Sequence, residues 1–503
     1  MLPGSKKIRI REYVTAAAIL LLAAAGLLAH RAITKGKCET QRVVDEETEN
    51  DAHSGSVGYY NVTYAKYPEI ANLTELLKIR EEIITLSDSG LGAEEQAVQR
   101  IGLLKEYKAC RERVKSELER IRPDSAGEEY SATLDSFTKK VTERILTDND
   151  TKNIVYSPAN FYMALCMLAE TVGSESRDEL LSLIGVGNTE DIRKLANSIW
   201  RALYNDSDNE KCLLANSLWI NERFPFNEAA AGDLASWYYT DVYTASMGEE
   251  ATDAALKEWI NLRTGRLLQN TAEQFQTSAE TAFLLVSAIE YSDNWKNGFI
   301  KANGDKGVFI TASGNSVETE FMRSVQTGSY YREENLYTLA ALPMTSGASM
   351  IILLPDDDMT LQELIRQGMI TEGLLRWGDA ELFSTAAIHW NVPKFNVESD
   401  LSMIDTLKDL GVRRVFEPFA DFSPLTGLEN DADLFVSRIH HSGRVSIDED
   451  GCAAVGFSMI EITDTGYPTE TDGILEMDLN RPFAFMITGV DGLPLFIGVV
   501  NEV

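Results

Sequence analysis

The sequence predicts an α+β fold built on several β-sheets. Beyond residue 130, helical stretches (162–169, 178–183, 254–268 and 401–410) alternate with apolar runs of strand character. Those runs cover 338–342, 350–354, 386–392, 434–439, 483–487 and 495–500. Three of them lie toward the C-terminus, so the chain end is woven into a sheet and is not a tail. An apolar content of 44% over 503 residues supplies a large core. At roughly 150 residues per domain the length allows about three domains.

The chain opens on a basic, apolar leader, residues 1–38. Lys6, Lys7, Arg9 and Arg11 precede an uncharged run over 13–29, which Arg31, Lys35 and Lys37 close off. This is the pattern of a signal anchor or a cleaved secretory signal. The run sits at the short limit for crossing a bilayer. Ala23-Ala24-Ala25 offers a cleavage site, yet the run stays apolar beyond it. Basic residues ahead of the run hold that end inside and put the remainder outside. The expectation is an extracellular protein tethered to the cell membrane by the leader, with secretion after cleavage as the alternative.

Residues 39–129 read as a helical spacer or stalk. Leu73, Leu76, Ile79, Ile83 and Leu86 recur at three- and four-residue steps, as do Val98, Ile101, Leu104 and Tyr107, then Val114, Leu118 and Ile121. Residues 87–92 break the two halves and Pro123 stops the second, which predicts a helical hairpin.

Charge and motif content narrow the function. The net charge is -32, with the leader at +6 and the rest at -38. So acidic a surface repels nucleic-acid phosphates, and no nucleic-acid partner is expected. The five cysteines (Cys38, Cys110, Cys166, Cys212, Cys452) are widely spaced, without CxxC, HxxxH or HExxH, so neither a metal site nor a disulfide framework is expected. There is no GxSxG elbow, no phosphate loop and no glycine fingerprint, so no enzyme, catalytic residue or cofactor is predicted. The acidic runs 356–358 and 448–450 fail the calcium-loop spacing.

One segment stands out. Val445 and Ile447 alternate with polar neighbours, then come Glu449, Asp450 and Gly451. After them Cys452, Ala453, Ala454, Val455, Gly456, Phe457 and Ser458 run seven residues without a charge. About twenty further residues pass before Arg481-Pro482-Phe483 restarts the apolar pattern. Loops longer than about 12–15 residues within a domain are usually functional or disordered. Every second residue here, from Cys452 through Ala454, Gly456, Ser458, Ile460 and Ile462, presents one small or apolar face. Such a stretch can become a central strand under covering helices; a Gly/Ala-rich linker is the plain alternative.

From about residue 130 onward the chain resembles a serpin, a serine protease inhibitor. The resembling blocks, in family order, begin with Asn153-Ile154-Val155-Tyr156-Ser157-Pro158 and Ala215-Asn216-Ser217-Leu218-Trp219. Ser287-Ala288-Ile289-Glu290-Tyr291, Trp295-Lys296-Asn297-Gly298-Phe299 and the run 342–355 come next. Val392-Pro393-Lys394-Phe395-Asn396, the stretch 410–423, Glu449-Asp450-Gly451 and Asn480-Arg481-Pro482-Phe483 complete the set. Each block is weak singly, and nine in order are highly specific.

The resemblance implies a serpin fold over 130–503: three β-sheets, about eight or nine helices and an exposed reactive-centre loop. With its leader and extension the chain resembles a prokaryotic-type extracellular member. It also implies a conformational trap. A target serine protease attacks the loop as a substrate and forms a covalent acyl complex, and the freed hinge inserts as a new strand into the main sheet. A cysteine protease is a further partner class.

The hinge maps onto 449–458. The family's polar switch region maps onto Ser157, Asn160, Ser287 and His441. Ser287 stands where the family usually has Asn, and Asn160 where it usually has Ser, so the network is rearranged. Trp295 matches the Trp that packs where the loop first enters.

Family spacing counted from Gly451 gives Thr465-Gly466 as the cleaved bond, although the loop is longer than common. No Lys or Arg occurs from 447 through 480, which argues against trypsin-like targets. An elastase-like protease suits Thr465, a chymotrypsin-like one Tyr467, and an Asp-directed one Asp464 or Asp472. The alternative is a binding or structural protein on the same fold, without the trap.

Overall fold

The computed structural model describes residues 59–67, 69–121, 128–207, 210–264, 276–300, 306–418, 420–428, 434–453 and 473–503. The leader, the hinge residues Ala454, Val455, Gly456, Phe457 and Ser458, and the bond Thr465-Gly466 lie outside them.

Strand β1 (Tyr59–Thr63) leads into helices α1 (Leu73–Thr85) and α2 (Ala93–Ile121). A 3-10 turn over Leu86–Asp88 and Gly90, at φ +71°, separates them where the sequence predicts the break. Glu94 and Glu95 in the first turn of α2 and Arg120 in its last suit the helix dipole. Expected as a spacer, this hairpin does not stand clear of the C-terminal domain. Leu73, Leu76, Ile79, Leu103, Tyr107 and Cys110 belong to the same hydrophobic cluster as the core of that domain. The periodic stripe on each helix is therefore buried against the domain as well as against its partner helix.

Four helices and three strands come next: α3 (Glu128–Asp148), β2 (Ile154–Tyr156), α4 (Pro158–Thr171), α5 (Ser174–Ile184), α6 (Thr189–Leu203), β3 (Asn205–Asp206) and β4 (Glu210–Asn221). Pro158 at the first turn of α4 and the Ser157 cap start that helix. Gly185, at φ +88°, ends α5 in the left-handed conformation. Then come α7 (Glu228–Trp237), β5 (Thr240–Ala245), α8 (Glu250–Arg263), β6 (Phe283–Asn294), β7 (Lys306–Ile310), β8 (Ser316–Glu333), β9 (Tyr337–Pro343) and β10 (Ser349–Pro355). Next are α9 (Leu361–Arg366), α10 (Met369–Leu375), β11 (Ser384–Pro393), β12 (Phe395–Ser402), α11 (Ile404–Asp409) and α12 (Ser423–Thr426). The chain finishes with β13 (His440–Ile447), β14 (Gly451–Ala453), β15 (Ile474–Asp478), β16 (Phe483–Thr488) and β17 (Pro494–Val500).

The strands form two extended sheets. One runs β1-β5-β4-β6-β14-β13-β12, with β3 beside β4. The other runs β15-β11-β8-β9-β10-β16-β17-β2, with β7 beside β8. The two smaller sheets of the expected three are continuous because β8 serves both, pairing with β11 over Phe321 to Tyr330 and with β9 over Tyr330 to Glu333.

Two local expectations differ. Residues 434–439 form no strand; the chain on their flank turns away after β12, which ends opposite His440. The helix expected over 401–410 begins only at Ile404, since Leu401 and Ser402 are still paired with β13. Among the described residues no helix is long and apolar enough to cross a membrane. The four described cysteines are buried and in no disulfide.

Candidate functional site

The site begins where β13 turns back. The Asp448 carboxylate accepts from the backbone N–H of Asp450 (2.9 Å) and Gly451 (3.1 Å), a side-chain-closed turn. The reversed chain forms β14. On one side Ser446 and Ile447 face Ala453 and Cys452; on the other Asn294 and Asp293 face Gly451 and Cys452. The first residues of the hinge are thus already a strand between β6 and β13. Gly451 is required here, because a Cβ would sit 2.2 Å from the Asp293 carbonyl oxygen.

Polar contacts fasten this mouth. Glu449 Oε1 lies 2.8 Å from Lys394 Nζ, which also meets Glu320 Oε2 at 2.9 Å. The two carboxylates, Glu449 first, raise the Lys394 ammonium above its ordinary value. Trp295 is buried; its Nε1–H donates to the Asp448 carbonyl (2.8 Å) and its backbone N–H to that of Asp450 (3.1 Å). Beside Cys452, the Asp293 carboxylate accepts from Thr345 Oγ1 at 2.8 Å. Burial pushes both the Asp293 carboxyl and the Cys452 thiol up.

Below β14 the described residues leave the sheet open. β6 pairs with β4 along Phe283 to Asp293, but among the described residues only Asp293 and Asn294 are paired on its other edge. β13 pairs with β12 along its whole length, and among the described residues only Ser446 and Ile447 are paired on its inner edge. A cavity of about 490 Å³ occupies the gap. Phe161, Ala164 and Leu165 of α4 line one side, Leu256 and Ile260 of α8 the other. The alternation of β6 separates these sides. Leu285, Ile289 and Tyr291 pack on the main core, whereas Leu284, Val286 and Ala288 pack with Trp219, Leu256 and Trp259.

A polar chain crosses the cavity wall. Ser157 Oγ caps α4, accepting from the Asn160 N–H (3.2 Å). Asn160 Nδ2 donates to Ser287 Oγ (2.9 Å), and Ser287 Oγ donates to Asn216 Oδ1 (2.7 Å). Asn216 Nδ2 in turn donates to the Tyr238 carbonyl (2.7 Å). The exchange of Asn and Ser seen in the sequence is therefore reciprocal, and the network closes. The Ser157 backbone N–H donates to His441 Nε2 (3.0 Å), so the imidazole accepts through a bare nitrogen and is neutral. Burial lowers its pKa to about 4.

The fold brings together Ser157, Asn160, Ser287, His441, Trp295, Glu449, Asp450, Gly451, Cys452 and Ala453 around one slot. Lys394, Glu320, Asp293 and Asn216 also belong there, and the sequence alone does not single them out. Lys394 and Asn216 lie inside the family-like blocks, but nothing local marks their partners.

Residues 132–503 match the profile of the family Serpin (serine protease inhibitor). The chain belongs to the serpin family. It is 25% identical to human alpha-1-antichymotrypsin over 374 residues, covering 73% of this chain and 86% of that protein. Bovine plasma serine protease inhibitor is 23% identical over 358 residues, covering 70% and 85%. The native thermophilic serpin tengpin superposes with a TM-score of 0.66 at 25% identity, covering 75% of this chain and 95% of that one. Human thyroxine-binding globulin, at 20% identity and a TM-score of 0.64, shares the fold.

Proposed function

We propose that this chain inhibits serine endopeptidases as a suicide substrate, trapping the acyl-enzyme when its cut loop enters the open sheet. The observation that carries the reading is the slot, flanked by two strand edges that no described residue pairs below β14, and already holding Gly451, Cys452 and Ala453 in register. Unpaired edges are strong templates for strand addition.

The loop sequence suits the slot row by row. Continued at constant register, Ala454 would come opposite Tyr291 and Val445, and Gly456 opposite Ile289 and Gly443. That second row is tight: a Cβ on Gly443 would lie 2.9 Å from the Val155 carbonyl oxygen. Ser458 would come opposite Ser287 and His441, the polar row. Ile460 would come opposite Leu285 and Ile439, where the cavity is apolar. Small, polar and apolar side chains thus recur where the walls call for each.

The absence of Lys and Arg from 447 through 480 favours an elastase-like protease cutting at Thr465-Gly466, or a chymotrypsin-like one cutting after Tyr467. Incubation with such proteases should give an SDS-stable adduct. Clean loop cleavage without one would overturn the trap, and mass spectrometry of the released fragment locates the bond.

Export and tethering belong to the same reading. They rest on the basic flanks and apolar run of the leader. N-terminal sequencing of the mature protein tests them: a start near Gly26 would exclude a tether.

A further inference from the structure

We propose that the α1–α2 hairpin is a latch on α8: it holds the C-terminal end of that helix down on the sheet and sets how readily the cavity beneath it opens. The family profile begins at residue 132, so family membership assigns no role to residues 59–121. The latch is read from contacts within the uncut molecule and does not depend on the inhibitory reading.

The hold that α8 has of its own is slight. Of its 14 residues only Thr252, Leu256, Trp259 and Ile260 are buried. The three apolar ones pack with Trp219, Tyr243, Ala245, Met247 and Ala288 in a small cluster apart from the main core. Leu256 and Ile260 also line the cavity, so α8 is its cover on that side. An element with so few buried apolar contacts belongs to the low end of local stability, where segments open without global unfolding.

The hairpin supplies the missing hold at the last turn. Arg80 of α1 donates to the Leu262 carbonyl at 3.1 Å. The last carbonyls of an α-helix have no partner within it, and a cation suits that end of the dipole. The same guanidinium bonds the Glu290 carboxylate on β6, so one side chain ties hairpin, helix and sheet together. One residue on, Glu81 Oε1 meets Arg263 Nη1 at 2.8 Å, and Arg263 Nη2 meets Asp241 Oδ2 of β5 at 3.3 Å. Asp241 also accepts from the Ala65 N–H at 3.0 Å and from Trp259 Nε1 at 3.4 Å. The chain that leads from β1 to α1 thus meets α8 at one carboxylate. β1 itself pairs with β5, from Tyr59 opposite Ala245 to Thr63 opposite Val242. The latch is therefore rooted in the sheet at β5 and β6, and it grips α8 at Trp259, Leu262 and Arg263.

Hydrogen–deuterium exchange of the full-length uncut protein reads the opening of α8 directly. Two changes loosen the latch. Arg80→Met with Glu290→Leu removes the tie to the Leu262 carbonyl and leaves neither buried charge without its partner. Glu81→Gln weakens the tie to Arg263 at a side chain that is 36% exposed. Backbone amides of residues 256–264 should exchange about tenfold faster in the first variant and several-fold faster in the second, while those of α4 and β16 keep wild-type protection. Equal exchange of 256–264 in wild type and both variants would overturn the latch. A rise shared by α4 and β16 would overturn it too, because that marks a general loosening. Should the double variant fail to fold, Glu81→Gln decides on the same reading. No protease enters the measurement, so a wild type that traps none would leave this result standing.

Discussion

At the scale of single residues, the polar chain beside the slot is the most exposed to test. Ser287→Ala would leave Asn160 Nδ2 and Asn216 Oδ1 without their shared partner. A buried polar group left unpaired costs about 1–3 kcal/mol, and denaturant melts of the uncut protein should register that loss. Exchanging the pair, Asn160→Ser with Ser287→Asn, should recover most of it, because the structure uses one amide and one hydroxyl across this contact. His441 predicts a pH dependence. In the unfolded chain an imidazole takes up its proton near pH 6.5, whereas burial holds that of His441 back to about 4. Between those values the unfolded state binds more protons, so stability falls as pH drops through the window, by up to about 3 kcal/mol. His441→Gln should lose less stability than wild type between about pH 7.5 and about pH 5; an equal loss would dismiss the imidazole as its source. The resemblance made Ser157, Asn160, Ser287 and His441 legible as a switch region. Asn216 and Lys394 lie inside the family-like blocks, yet their roles stayed silent, because a partner brought in across many residues by sheet pairing leaves no local pattern.

At the scale of elements, α1 is joined to the main sheet through a buried ion pair. Arg80 bonds the Glu290 carboxylate on β6 and donates to the Leu262 carbonyl (3.1 Å) in α8, with both charged side chains under one tenth exposed. Removing one partner from such a pair typically costs about 3–5 kcal/mol. Arg80→Ala should therefore melt the protein at markedly lower denaturant, and Arg80→Met with Glu290→Leu should recover much of the loss. The proposed strand insertion carries its own prediction. Gly456→Val would put a branched side chain into the row that Gly443 and the Val155 carbonyl keep narrow. Cleaved inhibitor should then replace adduct on an SDS gel, while the uncut midpoint stays unchanged. Helix and strand periodicity revealed the hairpin and five of the six expected strands within a residue or two. Docking of the hairpin was not legible, since a stripe of Leu and Ile looks the same whether it meets a partner helix or a sheet. Residues 434–439 failed for the opposite reason: their apolar run reads as a strand, but the neighbour that would pair with it is the slot.

At the scale of the whole molecule, the described residues leave two facing edges without a ladder, and filling them should raise the melting midpoint. Thermal melts before and after limited cleavage of the loop measure this; an unchanged midpoint would mean that the loop stays out. The far side of the loop has a consequence of its own. Residues 473–503 hold β15, β16 and β17, and Phe483, Phe485, Ile487, Leu495 and Val500 are among the most deeply buried side chains in the fold. β16 lies between β10 and β17, and β17 between β16 and β2. A cut between 454 and 472 therefore divides the covalent chain without releasing its smaller portion. The cleaved chain should persist as a heterodimer of its own fragments. Native mass spectrometry should find it heavier than the intact protein by a single water, and only denaturation should part the two pieces.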